Sequence, residues 1–217
     1  HTNFAMESIR QDFNGSIKNG NKVSCTISRN GDLITDCWLE FQLKSSATQP
    51  FIGDSLLSCI KTIELEIGGQ RIDRHTGDWL RIWSELSLPA EKKGMYDRMV
   101  NQIEEDYTAV SQSGFGSGNG DIRNFFVPLQ FFFCRNPGLA LPLIALQYHE
   151  VKIIIEFNET STRQSGGINK SMVNLDDFDT SFYVNYIYLD VDERRRFAQT
   201  SHQILIEQLQ YTQENFT

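Results

Sequence analysis

The sequence predicts an all-β protein, an antiparallel jelly-roll β-sandwich that carries a short helical insertion. Three observations point there. Short stretches alternate apolar and polar side chains, the period of two that marks strands with one buried face. Turn residues such as Asn-Gly and Gly-Gly separate them, and no βαβ rhythm intervenes. Only between about 77 and 103 does the apolar period lengthen to three and four residues, which places a helical insertion there.

Composition agrees. With 217 residues the chain is long enough to bury roughly 70% of its unfolded surface without staples. Fifteen Phe and 7 Tyr against 22% charged residues exclude a disordered chain and favour aromatic-rich strands. A net charge of −8 gives no field that would attract a phosphate backbone. The one dense basic run, Arg194-Arg195-Arg196, is flanked by Asp190, Asp192 and Glu193 and reads as a solvated or locally paired face, so no direct nucleic-acid partner is expected. The densest apolar stretch, Phe125 to Phe157, is broken by a charged turn and prolines before it could cross a bilayer, so membrane insertion is not expected either. The start at His1 and the polar end read as a fragment of a longer protein.

Taken in order, Asn3 to Phe13 reads as a strand, followed by turns at Asn14-Gly15 and Asn19-Gly20. Val23, Cys25 and Ile27 alternate with Ser24, Thr26 and Ser28. Asn30-Gly31, both tolerant of positive φ, then predicts a tight hairpin into a strand with Leu33, Thr35, Cys37, Leu39, Phe41 and Leu43 on one face. After a polar loop over 45–54, Ile63, Leu65 and Ile67 alternate with Thr62, Glu64 and Glu66, and Gly68-Gly69 turns this strand into a second one at 70–75. Trp79, Ile82, Trp83 and Leu86 then describe an amphipathic helix, capped by Asp78 and stopped by Pro89, with another helix from Ala90 to about Ile103.

The Gly-rich stretch from Ser111 to Gly120 lacks a following Gly-Lys-Ser/Thr and leads to a strand, so it is read as a loop rather than a phosphate cradle. Phe125 to Phe133 predicts a strand covered on both faces, Arg135 to Gly138 a turn, and Tyr148 to Phe157 a returning strand. The rest is expected to pack around this pair. A polar loop leads to a strand with Phe182, Val184, Tyr186 and Tyr188 on one parity. Asp190 and Glu193 suggest a capping box that opens a helix through Phe197, and His202 to Gln210 reads as a last strand. Eight or nine strands fit a jelly roll.

The sequence offers no catalytic constellation. The histidines, His1, His75, His149 and His202, are isolated, whereas a jelly-roll metal enzyme needs two of them on one strand with an acid. Glu104-Glu105 and Asp176-Asp177 lack aromatic company, and no Gly-x-Ser-x-Gly elbow is present. No enzyme, cofactor or metal is expected. Cys25, Cys37, Cys59 and Cys134 read as reduced core residues, one disulfide being the alternative. Asn14, Asn158, Asn169 and Asn215 head Asn-x-Ser/Thr sequons open to N-glycosylation. Trp79, Arg81 and Trp83 mark a helix that either packs on the sandwich or meets another subunit.

One stretch, CRNPGLALPLIALQYHE from Cys134 to Glu150, resembles the signature of the major capsid proteins of nucleocytoplasmic large DNA viruses, the iridovirus, phycodnavirus and mimivirus relatives. HTNFAMESI at the start, VSCTISRNGDLI from Val23, IKTIELEIGGQRIDRHTGDWLRIWSEL from Ile60 and YLDVDERRRFAQTSHQILIEQ from Tyr188 resemble the same family in the same order. The resemblance implies a double jelly roll, of which residues 1–190 are the first domain and 191–217 a linker helix and the truncated start of the second. It further implies homotrimeric pseudo-hexagonal capsomers that meet neighbouring capsomers and minor capsid proteins in an icosahedral shell, with assembly in the host cytoplasm and residence in the virion. A carbohydrate-binding β-sandwich, using loop aromatics and acids, is the alternative, and a metal-dependent jelly-roll enzyme a more distant one.

Overall fold

The computed structural model describes residues 3–44, 56–102, 124–159, 162–165, 168–171, 173–210 and 212, with side chains left aside over 160–172. In chain order the strands are β1 (Phe4–Gln11), β2 (Lys22–Thr26), β3 (Leu33–Leu43), β4 (Ile60–Ile67) and β5 (Gln70–His75). Helices α1 (Gly77–Ser87) and α2 (Ala90–Met99) follow, then β6 (Asn124–Pro128), a short α3 (Phe132–Arg135) and the two-residue β7 (Leu141–Pro142). The chain continues through β8 (Val151–Phe157), β9 (Thr162–Ser165), β10 (Ile168–Ser171), β11 (Phe178–Leu189) and α4 (Val191–Gln199).

Nine of the strands build two facing antiparallel sheets, and β9 and β10 pair separately with each other. The first runs β1-β11-β3-β6, with β7 added along β3, and the second runs β2-β8-β4-β5. The chain passes repeatedly from one sheet to the other, which makes the sandwich a jelly roll. Alternation puts Leu39, Phe41, Val127, Phe182, Val184 and Tyr186 of the first sheet against Val23, Cys25, Ile63, Leu65, Ile153, Ile155 and Phe157 of the second, all fully buried. At roughly 25 cal/mol per Å² removed from water, this layer is the main source of stability.

Gly68 and Gly69 form the turn their sequence demands, both with positive φ (60° and 82°), and pair Ile67 with Gln70. Asn30-Gly31 does not. β2 pairs with β8 in the second sheet and β3 with β11 and β6 in the first, so the chain crosses the sandwich where a hairpin was expected. The crossing is held by the Tyr186 hydroxyl, which donates to the Ser28 carbonyl (2.7 Å), and by Asp32 N donating to Ile187 O (3.0 Å). Gly31 is needed there for space: a Cβ would lie 2.8 Å from that of Tyr186.

The expected central strand also stops early. β6 ends at Pro128, Leu129 N bonds Cys37 O, and the chain leaves the sheet so that Phe131, Phe132 and Phe133 plug the end of the core. Three consecutive buried phenylalanines mimic a strand covered on both faces, but here Phe131 is the N-cap of a helical turn that Phe132 and Phe133 open. β6 and β8 are not partners; they belong to opposite sheets.

At the other end, Asp190 caps α4 by accepting from Val191 N, and Arg194 pairs with Asp32 at 3.0 Å, which fastens the helix to the sandwich. Residues 202–210 form no strand and are tied to β5 through Gln208 and Leu209. α2 ends at Met99, with Asn101 in the left-handed region (φ 56°). The 45–54 loop, Ile103, Glu104-Glu105 and the Gly-rich stretch lie outside the described residues.

Candidate functional site

The helical insertion is the most elaborate departure from a plain sandwich. α1 is capped by Thr76, whose hydroxyl accepts from Trp79 N (3.1 Å), rather than by Asp78, which lies in the first turn. Gly77 sits hard on the preceding backbone, where a Cβ would be 2.0 Å from Leu57 O. That contact rotates the helix so that Gly77, Leu80 and Ser84 are buried, and Ile82 and Leu86 of the expected apolar stripe face out.

Trp79 and Trp83 lie at the side of the helix, half-buried, with rings 5.8 Å apart. Arg135 of α3 places its guanidinium 4.8 Å over the Trp83 ring and its Nη2 3.2 Å from Glu207. Beside them His75 stacks on Phe131 (4.8 Å) and reaches Asp73, Nε2 to Oδ2, at 2.9 Å. The other carboxylate oxygen of Asp73 accepts from Arg74 N (2.8 Å) and Leu209 N (3.0 Å), while Gln208 Nε2 donates to Ile72 O. Burial alone would raise the Asp73 pKa; the hydrogen bond and charge of His75 and the two amides outweigh it and hold the carboxyl below its usual value.

The cluster thus ties β5, α1, α3 and the 202–210 segment together. It is not a catalytic dyad: Asp73 and His75 are buried beneath aromatic rings and backbone, out of reach of a substrate. Trp79 and Trp83 belong to this cluster, and Arg81 lies apart on the exposed side. Sequence reasoning missed Asp73, Arg135 and Glu207, which stand on three separate segments with no local signal to join them.

Among the described residues no three His, Cys, Asp or Glu side chains gather as metal ligands, and no helix is long and apolar enough to cross a membrane. All four cysteines are free. Burial pushes the thiols up, Cys25 to about 11 and Cys59 to about 12, and raises Cys37, which also hydrogen-bonds Cys134. Asn14 is exposed beside its bridge to Ser24, whereas the Asn158 amide donates to Ser58 O (2.8 Å). The Asn169 side chain and Asn215 lie outside the described residues.

The family described as major capsid protein N-terminus matches residues 1–190. The chain belongs to the major capsid protein family. Within it, the chain is 51% identical over 216 residues to the major capsid protein of Pyramimonas orientalis virus, covering 98% of this chain and 51% of that protein. It is 45% identical over 219 residues to the major capsid protein of Paramecium bursaria Chlorella virus 1, covering 98% and 46%. A structure titled "PBCV-1 virus capsid, quasi-atomic model" superimposes with a TM-score of 0.79 at 43% identity, over 98% of this chain and 49% of that one. The capsid-family chain therefore spans about half the length of the relatives it matches, and those relatives are structural proteins rather than enzymes.

Proposed function

We infer that this chain is a structural subunit of a large double-stranded DNA virus shell, acting as the first of two jelly rolls in a major capsid protein. α4 and the segment after it lead toward the second. Three copies of the whole protein form a pseudo-hexagonal capsomer, and capsomers tile an icosahedral shell with minor capsid proteins between them, after assembly in the host cytoplasm. The observation that carries this reading is the superposition of the entire sandwich on a chain from a virus capsid.

The physics supports it. A jelly roll with a fully buried two-sheet core is a rigid brick whose surfaces keep their relative positions, as a repeating contact requires. Asn14 and the outward side of the helical insertion are exposed and available to glycans or neighbours.

The test uses an antibody raised against the folded chain on particles purified from infected cells. Gold label on the shell of intact particles, and three copies per capsomer by native mass spectrometry of disassembled particles, are expected. Label confined to non-particle fractions would overturn the capsid role; a copy number other than three would overturn the capsomer.

A further inference from the structure

Two of the four cysteines serve as small apolar side chains and nothing more. Cys59 is fully buried, and its thiol donates to Leu56 O at 2.9 Å, within its own turn. Cys25 is enclosed on β2, opposite Ile153 of β8 in the second sheet. The other two meet. Cys37 points inward from β3, opposite Val184 of β11, and its thiol hydrogen-bonds that of Cys134. Cys37 is 1% exposed, whereas Cys134 on α3 is half-buried. One sulfur of the pair is therefore reachable from solvent, and the other is reachable through it.

The two residues are held unequally. Cys37 is fixed by the ladder with β11, and its carbonyl accepts from Leu129 N at 2.9 Å. Cys134 belongs to a single helical turn that follows the end of β6 at Pro128, with extended backbone at Phe131 before it and Asn136 after it. A shift of that turn toward β3 breaks no strand pairing. Drawing two touching sulfurs into a bond moves them by on the order of 2 Å.

We propose that Cys37 and Cys134 are an oxidation site, closed into an intramolecular disulfide by a small-molecule disulfide of the glutathione class. Cys134, as thiolate, attacks one sulfur of the small disulfide. That S–S bond breaks, a mixed disulfide forms on Cys134, and one small thiol leaves with the proton that Cys134 gave up. Cys37 then loses its proton and attacks the Cys134 sulfur; the protein disulfide forms, and the second small thiol leaves with that proton. Two protein thiols are oxidised by two electrons, and one small disulfide is reduced to two thiols. Burial holds the Cys37 thiol well above its ordinary pKa, so entry is through Cys134 and the second step is the slow one.

The bond joins a central strand of the first sheet to the plug at the end of the core. It closes a loop on the order of 100 residues that contains β4, β5, α1, α2 and β6, and a longer loop restrains the unfolded chain more. Its use rests on the capsid reading. A shell protein is made where thiols stay reduced, and its particle persists where they do not, so the same pair leaves the chain adaptable during assembly and locks it afterwards.

The test incubates the 217-residue chain with oxidised glutathione at mildly alkaline pH, quenches with acid, alkylates the remaining thiols in denaturant and maps the peptides. A Cys37–Cys134 link is expected, with Cys25 and Cys59 both alkylated. The linked chain should melt about 10 °C higher, and reductant should reverse the gain. Cys37→Ala should stop the reaction at one glutathione on Cys134, Cys134→Ala should abolish it, and Cys25→Ala should leave it unchanged, with circular dichroism checking each fold. An unmodified chain that stops at the glutathione adduct, links Cys37 to Cys25, or keeps four free thiols would overturn the site whether or not the variants fold. Purified particles alkylated without reductant should carry the same link. Labelled particles whose two thiols are free would overturn the locking role alone, whereas particles without label sink the capsid reading and leave the oxidation of the isolated chain standing.

Discussion

Replacing Asp73 with Ala perturbs the joint that holds the C-terminal segment to the sandwich. The wild-type carboxylate accepts from Arg74 N and Leu209 N at 2.8 and 3.0 Å and pairs with His75 Nε2 at 2.9 Å, in a site with almost no access to water. Hydrogen bonds to a charged group are worth about 1.5–3 kcal/mol each, but the three share one acceptor group and do not add. Removing one partner of a buried pair costs about 3–5 kcal/mol. At about 2–4 °C per kcal/mol for a chain of this size, the melting temperature should fall by about 10 °C. Asp73→Asn, which keeps one carbonyl oxygen for the amides, should lose less. The effect depends on pH in a defined direction. A carboxyl whose folded pKa is lowered stabilises the fold above its unfolded value, about 3.9. That contribution fades as pH falls through the folded pKa. Wild type and Asp73→Ala should therefore differ most near neutrality and converge in acid. The assay is thermal unfolding by circular dichroism from neutral to acid pH, with amide exchange read at Leu209. A difference within about 0.5 kcal/mol at neutral pH, or a Leu209 amide no less protected in the variant, would refute the reasoning.

Other substitutions separate space from turn chemistry. Gly31→Ala brings a Cβ within 2.8 Å of the Tyr186 Cβ and should cost about 1–3 kcal/mol in urea unfolding; no loss would mean that the crossing is not tight. Gly77→Ala improves helix propensity by about 1 kcal/mol yet sets a Cβ 2.0 Å from Leu57 O and 2.7 Å from Ile60 O. It should lower the melting temperature and red-shift tryptophan emission as α1 lifts; a stabilised protein with unchanged emission would disprove the contact. Arg135→Ala loses the Trp83 face and the Glu207 carboxylate and should cost about 1–2 kcal/mol, with faster amide exchange in 204–209. A disulfide reagent at mildly alkaline pH should modify Cys134 first, since burial and raised pKa values keep Cys25, Cys37 and Cys59 as thiols; intact mass before and after denaturant counts them.

What the sequence disclosed and what it hid divide along the reach of the interactions. Alternation is local, so the inward sets of β3, β8 and β11 could be read directly from Cys37-Leu39-Phe41, Val151-Ile153-Ile155-Phe157 and Phe182-Val184-Tyr186. The Gly68-Gly69 turn is equally local, because two consecutive positive φ angles select glycine whatever lies beyond. Asn30-Gly31 carries the same local signature, and the reading failed because the deciding contact is with Tyr186, far along the chain. Strand pairing has the same character: a period of two says that Val23 and Cys25 face inward but not that their strand lies beside Ile153 and Ile155 rather than beside Leu39. The face of α1 was misjudged for a related reason. Trp79, Ile82, Trp83 and Leu86 make a plausible buried stripe by size, yet a helix turns toward whichever side approaches closest, and Gly77 with Ser84 approaches closer than two indoles can. The large residues displaced from the core by that choice divide between two fates. The tryptophans found Arg135 and His75 within the chain, and Ile82 and Leu86 stay exposed among the described residues, so the small residue that seats the helix also fixes which apolar side chains face outward.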